Sequence, residues 1–286
     1  MSNRTVAALL SGATLALWAA TVPALACENP NALGVSRVMT IDTSGGPQFG
    51  NVQYRGRQPL RDKEVVLTFD DGPSNANTRA VLTALAAHCT KATFFMVGRM
   101  AVAYPKMVRA VAAGGHTIGL HTWSHKNLKG QPTGRAAGEI ELGASAVSQA
   151  LGRSPAAFFR FPYLSDPGSM INYLKDKDVG IFSIDVDSYD FRTRSGARMR
   201  RTVMRQLQKR GKGIVLMHDI QKSTARGIRG LLDDLKKGGY KIVHLTAKQP
   251  VTTLPEYDKK IAKNLRGSSS MAQRPISSVV ETVKDN

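Results

Sequence analysis

The sequence predicts an α/β fold built on parallel strands, and three features indicate it. Apolar runs of strand length alternate with stretches of helical periodicity from residue 63 onward. The runs are almost continuously apolar, as in parallel sheets with both faces covered by helices. Glycines end several of the helical stretches. A barrel and an open doubly wound sheet both satisfy this pattern, and no G-x-G-x-x-G follows the first strand to favour a dinucleotide-binding fold.

Seven strands and six helices are expected in alternation. The predicted strands are Glu64–Phe69, Ala92–Val97, His116–Leu120, Ala156–Phe161, Ile181–Val186, Gly213–Met217 and Tyr240–Leu245. The predicted helices are Asn77–His88, Ala101–Ala113, Thr133–Leu151, Ser169–Lys177, Ala197–Arg210 and Thr224–Lys237.

Local signals justify these elements in order. Val65-Val66-Leu67 supplies the first strand, and the turn Gly72-Pro73 follows it. The first helix repeats alanine, valine and leucine at helical spacing. Four of the five later helices end at glycines, and Thr133 can cap the helix that runs to Leu151. The terminating glycines are Gly114-Gly115, Gly152, Gly211 and Gly238-Gly239.

Length and charge limit the function classes. A chain of 286 residues with 42% hydrophobic composition can form one large domain or two small ones. Its formal net charge of +19 suggests an anionic environment such as nucleic acid, an acidic polymer or a membrane surface. No nucleic-acid motif and no block of cations interleaved with aromatics occurs, which favours a general polyanion preference over nucleic-acid recognition.

The two ends of the chain are expected to lie outside the main domain. Residues 1–26 resemble an export signal, with Arg4 before an apolar run and Ala24-Leu25-Ala26 as the cleavage pattern. The run is short for an uncleaved membrane anchor, and no later stretch could span a bilayer. A secreted or periplasmic protein is therefore expected. Residues 27–62 are interpreted as an N-terminal lead-in, 63–247 as the main domain, and 248–286 as a polar, partly disordered tail.

The chain contains two cysteines, Cys27 and Cys89. In an oxidising compartment they could form one disulfide. Cys89 could equally be a small buried residue at a helix end. Two cysteines alone cannot form a cysteine-based zinc site.

Polar clusters follow five of the predicted strands. Because the carboxyl ends of parallel strands meet at one rim, these clusters are expected to lie close together. They are Asp70-Asp71, His121 to His125, Arg160 to Tyr163, Asp187 to Phe191, and Met217-His218-Asp219. Two imidazoles four residues apart and one carboxylate form a common catalytic metal set. His218 is interpreted as catalytic, whereas His88, His116 and His244 are interpreted as structural.

These five clusters, in this order, resemble the motifs of the polysaccharide deacetylase family, also called the NodB-homology domain or carbohydrate esterase family 4. The resemblance covers about residues 62–247. It implies a distorted (β/α)7 barrel that removes acetyl groups from N-acetylated sugars with a metal ion. The sequence departs from the family at Phe191, where tryptophan is usual, and at Phe161, where proline is frequent.

The chemistry of amide hydrolysis and the resemblance together assign the site residues. Asp71, His121 and His125 are expected to hold a divalent metal, Zn²⁺ or Co²⁺, which would polarise the acetyl carbonyl and activate water. Asp70 is expected to act as general base, and the resemblance implies that Arg160 pairs with it.

The other site residues are expected to act on the oxyanion, the leaving amine and the acetyl group. The backbone N–H of Tyr163 would stabilise the oxyanion. His218 would protonate the departing amine, and Asp190 would orient His218. Leu216 and Phe191 would form the wall around the acetyl methyl group.

The leading hypothesis is an N-deacetylase acting on an amino-sugar polymer or oligomer, with peptidoglycan, chitin oligosaccharides and exopolysaccharide open as substrates. The alternatives are an O-acetyl esterase acting on a polysaccharide such as acetylxylan, and a non-catalytic basic protein that binds the cell envelope. Amide and ester substrates share a tetrahedral intermediate, so the residues do not separate the first two hypotheses.

Overall fold

A computed structural model of the protein describes residues 29–56 and 59–267. The expected signal peptide and the last residues of the expected tail lie outside these ranges. Cys27 also lies outside them, so its pairing with Cys89 stays a prediction. Within the described ranges, no helix combines the length and the apolar character that crossing a bilayer requires.

The described residues form ten strands and eight α-helices. The strands are β1 Arg37–Ile41, β2 Gln48–Phe49, β3 Glu64–Asp70, β4 Thr93–Met96, β5 Thr117–Leu120, β6 Phe158–Phe159, β7 Gly180–Phe182, β8 Val186–Asp187, β9 Gly213–His218 and β10 Lys241–Ala247. The helices are α1 Ala76–Ala87, α2 Gly98–Ala103, α3 Pro105–Ala113, α4 Thr133–Leu151, α5 Gly168–Asp176, α6 Gly196–Arg210, α7 Lys222–Lys237 and α8 Pro255–Gly267.

The strands pair in parallel around β3. On one side of β3, its first two residues pair with β10 and its last three pair with β4. The other side of β3 pairs with β9. The ladder continues from β4 through β5 and β6 to β7. β8 follows three residues after β7 in the same segment and pairs with β9. The strands therefore form a distorted barrel whose ladder is interrupted between β7 and β8.

The prediction of a parallel β/α architecture is confirmed, and each of the seven predicted strands is present. The fifth is divided into β7 and β8, because residues 183–185 leave the ladder. The helix predicted over Ala101–Ala113 is two helices. α2 begins at Gly98, and α3 begins at Pro105, whose ring nitrogen cannot donate the hydrogen bond that a continuous helix needs.

The N-terminal lead-in segment contributes two strands to the sheet. β1 pairs with β10 over five residue pairs, and β2 pairs with β7. The polar tail is also partly ordered. α8 packs against the domain through Ile261, which is fully buried beside Val102 and Trp123. β1 and β2 were not predicted because each pairs on one side only and carries no continuous apolar run.

The core lies on both faces of β3. Val65, Leu67 and Phe69 point to the layer of helices, while Val66 packs inside the sheet with Phe95. All seven residues of β3 are buried. A side chain of this size contributes about 1.5–3 kcal/mol when it is fully buried. This packing fixes the strand whose end carries Asp70 and Asp71.

Candidate active site

The Asp-Asp turn begins at the end of β3. Asp70 is the last residue of the strand, and Asp71 has a positive φ of 73°. A Cβ atom at Gly72 would approach the carboxylate oxygens of Asp219 to 2.2 Å, so only glycine fits there. Both aspartates are buried. The turn thus places two adjacent carboxylates in the same buried region. Each buried charge requires a cation or a hydrogen-bond donor next to it.

Asp71 lies beside two histidines. Its Oδ1 lies 3.1 Å from Nε2 of His125 and 3.4 Å from Nε2 of His121. All three side chains are buried, and one ligand atom from each lies within 4.8 Å of the others. Burial raises the pKa of the Asp71 carboxyl, but His125, His218 and His121 outweigh this effect and hold it well below its usual range. The carboxylate is therefore ionised.

These three residues suit a divalent metal ion. Oδ1 of Asp71 is buried and has no hydrogen-bond partner among the described residues, which is costly unless a cation satisfies it. Nδ1 of His121 lies 2.7 Å from the carbonyl oxygen of Arg160 and can donate to it. That hydrogen bond leaves the Nε2 lone pair facing Asp71, as in histidines that bind metals. One carboxylate and two imidazoles form a donor set that zinc accepts in catalytic sites.

The loop that carries both histidines is irregular. Thr122 and His125 have positive φ values of 62° and 60°. Glu139 of α4 holds this loop, because its carboxylate accepts the backbone N–H of Ser124 at 2.9 Å and the Ser124 hydroxyl at 2.8 Å. A Cβ atom at Gly143 would come within 2.6 Å of the Thr122 carbonyl carbon, so α4 packs directly on the loop.

Arg160 is fully buried and pairs with Asp70. Its guanidinium donates to Oδ1 of Asp70 at 2.7 Å and to the hydroxyl of Thr68 at 2.8 Å. It also donates to the carbonyl oxygens of Phe182 and Ser183 at 3.3 and 3.1 Å. The other carboxylate oxygen of Asp70 lies 3.9 Å from Nε2 of His121. Arg160 therefore neutralises Asp70 and leaves its other oxygen near His121, a candidate metal ligand.

His218 approaches Asp71 from β9. Its Nε2 lies 4.0 Å from Oδ2 of Asp71, and its Nδ1 lies 2.7 Å from Oδ1 of Asp190. Burial lowers the pKa of His218, but Asp190 and Asp71 outweigh this effect and raise it to about 10. Asp190 is itself held, because Thr224 donates to its carboxylate and Ser223 donates to its carbonyl oxygen. The imidazole is thus fixed with its Nε2 turned toward Asp71.

Two exposed aromatic side chains flank the group. The Tyr163 ring lies 4.7 Å from the ring of His125, and its backbone has a positive φ of 59°. The ring of Phe191 meets that of His218 edge-on at 5.7 Å. Leu216 is buried in β9, two residues before His218, and pairs with Thr68 of β3. The structure thus places all ten residues selected from the sequence at one rim.

Sequence reasoning did not assign a role to Asp219. This residue is fully buried behind the Asp-Asp turn, and Thr78 donates to its Oδ2. Burial raises the pKa of the Asp219 carboxyl to about 7. Its position directly after His218, a predicted site residue, could have indicated that Asp219 lies at the site. Glu139 gave no comparable signal, because it reaches the histidine loop only through the packing of α4.

The N-terminal segment supplies a second group that the sequence did not reveal. Gln53 donates to the carbonyl oxygen of Leu164 and to the carboxylate of Asp166, and Tyr54 donates to the same carboxylate. The hydroxyl of Ser183 lies 2.6 Å from Oε1 of Gln53. These contacts hold the 3-10 turn that contains Tyr163. The lead-in segment therefore supports the rim of the site.

Comparison with known proteins gives a consistent result. A sequence model described as polysaccharide deacetylase matches residues 57–181. A peptidoglycan-N-acetylglucosamine deacetylase of Listeria monocytogenes is 34% identical over 184 residues, which are 64% of this chain and 38% of that protein. This chain thus spans well under half the length of that relative.

This chain covers a larger share of two further relatives. A chitooligosaccharide deacetylase of Azorhizobium caulinodans is 34% identical over 160 residues, which are 54% of this chain and 73% of that protein. The structure of a peptidoglycan deacetylase from Bdellovibrio bacteriovorus superimposes with a TM-score of 0.69 at 35% identity, covering 77% of this chain and 62% of that one. With the five motifs gathered at one rim of the barrel, these similarities establish that the chain belongs to the polysaccharide deacetylase family.

Proposed function

We propose that this chain is a metal-dependent N-deacetylase of an amino-sugar polymer or oligomer. One observation carries the proposal. The cluster of Asp71, His121 and His125 has two further groups beside it: Oδ2 of Asp70 lies 3.9 Å from Nε2 of His121, and Nε2 of His218 lies 4.0 Å from Oδ2 of Asp71. A base and an acid beside a metal site suit the hydrolysis of an amide, which needs proton removal from water and proton delivery to the amine.

Asp70 is the general base in this proposal. When Zn²⁺ or Co²⁺ is bound by Asp71, His121 and His125, it supplies polarisation of the acetyl carbonyl and a lower pKa for water. Asp70 takes the proton from the attacking water. The buried guanidinium of Arg160 holds one oxygen of this carboxylate at 2.7 Å, so the other oxygen is the one that accepts the proton.

Tyr163 stabilises the oxyanion through its backbone N–H. Amide hydrolysis develops negative charge on the carbonyl oxygen, and a fixed N–H donor lowers the energy of that state. The ring of Tyr163 lies 4.7 Å from the ring of His125, which supports this role for a residue next to the proposed metal ligands.

His218 delivers a proton to the departing amine. Its raised pKa keeps the imidazole protonated at neutral pH, and Asp190 holds Nδ1 so that Nε2 is the donor. Exposed Phe191 and buried Leu216 enclose the acetyl methyl group in this proposal.

Peptidoglycan or a chitin-like glycan is the proposed substrate, since relatives of this chain carry those names. Residues 1–26 have the pattern of an export signal, which supports action in the periplasm or outside the cell. An O-acetyl esterase and a non-catalytic envelope-binding protein are retained as outcomes of the experiment.

The test measures acetate release from peptidoglycan, chitin oligosaccharides and acetylxylan with the exported chain. Each substrate is assayed before chelation, after chelation, and after Zn²⁺ or Co²⁺ is restored. We expect release from an N-acetylated substrate that disappears with the chelator and returns with the metal. Release from acetylxylan alone would support the esterase, and no release from any substrate with metal restored would support a non-catalytic protein.

A further inference from the structure

We propose that α6 and α7 together form a docking surface for the acidic polymer whose sugars enter the active site. This inference rests on the proposed function and adds a location for polymer binding. The surface consists of two rows of cations, which we call the basic face. The α6 row is Arg198, Arg201, Arg205 and Lys209, and the α7 row is Lys222, Arg226, Arg229 and Lys236.

Helical spacing places each row on one side of its helix. Successive members are three or four residues apart, except where the exposed Asp233 lies between Arg229 and Lys236. All eight cations are exposed. The opposite sides carry the core residues, among them Val203 in α6 and Leu231 in α7. At 1.5 Å per residue, the rows extend over about 16 Å and about 21 Å.

The two rows lie next to each other. A Cβ atom at Gly196 would come within 2.7 Å of the Cα atom of Gly227, so the helices touch near their first turns. Farther along, Arg200 forms two hydrogen bonds of 2.8 Å with Asp234. Helices in such contact have axes about 8–10 Å apart. The rows therefore form one broad positive surface.

The positive charge of this surface is not neutralised by neighbouring carboxylates. Among the described residues, no member of the basic face forms an ion pair. Of the two acids of α7, Asp234 pairs with Arg200, while exposed Asp233 lies beside buried His88 and adds one negative charge to the α7 row. Eight cations therefore surround a single carboxylate on this surface. A dense row of unpaired cations attracts an extended polyanion, and salt weakens the attraction.

The basic face begins at the active site. α6 follows the 3-10 turn Asp190–Arg192. The first turn of α7 donates to Asp190 through Ser223 and Thr224. Asp190 contacts His218, the proposed acid. A glycan strand that leaves the site on this side would therefore continue over the cations.

This placement favours a glycan that carries carboxylates on attached peptides, as peptidoglycan does. A neutral chitin oligosaccharide has no charge to place on the basic face. Engagement of the basic face would thus increase affinity for the acidic polymer without altering the chemistry at Asp70 and His218.

The experiment replaces Arg198, Arg201, Arg205 and Lys209 with glutamine, which removes four charges and has similar helix propensity. The matched control replaces four exposed cations elsewhere with glutamine: Lys106, Arg153, Lys259 and Lys263. Binding to peptidoglycan sacculi is measured by sedimentation at several salt concentrations. The sacculi are used before and after hydrofluoric acid removes phosphate polymers. Acetate release from sacculi and from a chitin oligosaccharide is measured in parallel.

We expect the α6 variant to bind stripped sacculi about tenfold more weakly than the control at low salt, with the difference lost at high salt. Its KM on sacculi should rise while its turnover of the chitin oligosaccharide stays unchanged. Equal binding by both variants would overturn the proposal. Binding that disappears when phosphate polymers are removed, or tighter binding to duplex DNA than to stripped sacculi, would also overturn it. Salt-dependent binding to stripped sacculi without acetate release would support the basic face and contradict the proposed function.

Discussion

Oδ1 of Asp190 lies 2.7 Å from Nδ1 of His218, and Oδ2 of the same carboxylate accepts the backbone N–H of His218 at 2.7 Å. One buried carboxylate therefore fixes both the ring and the backbone of this histidine. Since Asp190 leaves only Nε2 directed toward Asp71, it selects which nitrogen can transfer a proton.

Asp190→Asn is expected to lower kcat on an N-acetylated substrate about 10²- to 10⁴-fold, because the amide can stabilise the wrong tautomer and does not support the imidazolium. The protonated form of His218 should also be lost at a lower pH. The measurement is the pH profile of kcat together with metal content. Metal content should match the wild type, and an unchanged profile with full turnover would refute the role of Asp190.

Asp70→Asn is expected to retain metal and to lose most turnover, by about 10²-fold or more. The replacement preserves shape but removes the group that accepts a proton from water. It also leaves Arg160 without its carboxylate partner, so thermal unfolding should be recorded alongside acetate release. A folded variant with normal metal content and full acetate release would exclude Asp70 as the base.

His121→Ala is expected to lower metal occupancy, because it removes one of three clustered ligand atoms. The measurement is the metal-to-protein ratio after dialysis against a fixed concentration of free Zn²⁺. His218→Ala is the matched control, since its Nε2 lies 4.0 Å from Asp71 and outside the cluster. Equal stoichiometry in the two variants would contradict the assignment of His121 as a ligand.

Two histidines outside the site should make stability depend on pH. Burial lowers the pKa of His116 to about 3 and that of His244 to about 4. Their ordinary value is about 6.5, so the unfolded chain takes up protons first as the pH falls. The stability they provide is present above pH 6.5 and is lost as the pH falls through the folded-state values.

His244→Gln should therefore reduce the loss of unfolding free energy between pH 7 and pH 5 by about 1–2 kcal/mol relative to the wild type. The measurement is urea unfolding of both proteins at the two pH values, with chelator present so that metal binding does not contribute. Parallel losses in the two proteins would show that His244 titrates normally in the folded state.

Gln53→Ala is expected to lower kcat about tenfold with little change in KM, because Gln53 holds the turn that presents the backbone N–H of Tyr163. Val52→Ala is the control, since Val52 is the exposed neighbour in the same segment. Thermal unfolding separates a general loss of stability from a change at the turn. If KM rises and kcat stays constant, Gln53 acts on substrate binding and not on the oxyanion.

The strands and site residues that the sequence predicted are those whose signal lies in neighbouring residues of the chain. β3 and β9 are buried on both faces, so their composition alone marks them as strands. The site residues follow such strands directly, which is why Asp70, Asp71 and His218 could be placed at one rim. The roles assigned to them stay proposals until the variants are measured.

The parts that sequence reasoning missed depend on contacts between distant segments. Glu139 reaches Ser124 from a separate helix, and Gln53 reaches Asp166 across 113 positions. Neither side chain belongs to a periodic pattern, so nothing near it in the sequence marks its partner. The irregular loop of His121 and His125 likewise takes its form from the α4 helix packed on it.

The pairing of β1 with β10 has a consequence for how the chain matures. The hydroxyls of Thr40 and Thr246 meet at 3.0 Å across 206 positions of sequence. A nascent chain thus cannot complete its sheet until almost all of it has left the ribosome, and contacts of such long range form slowly. The early segment stays unpaired throughout that time. β1 can therefore join the sheet only after β10 has been synthesised.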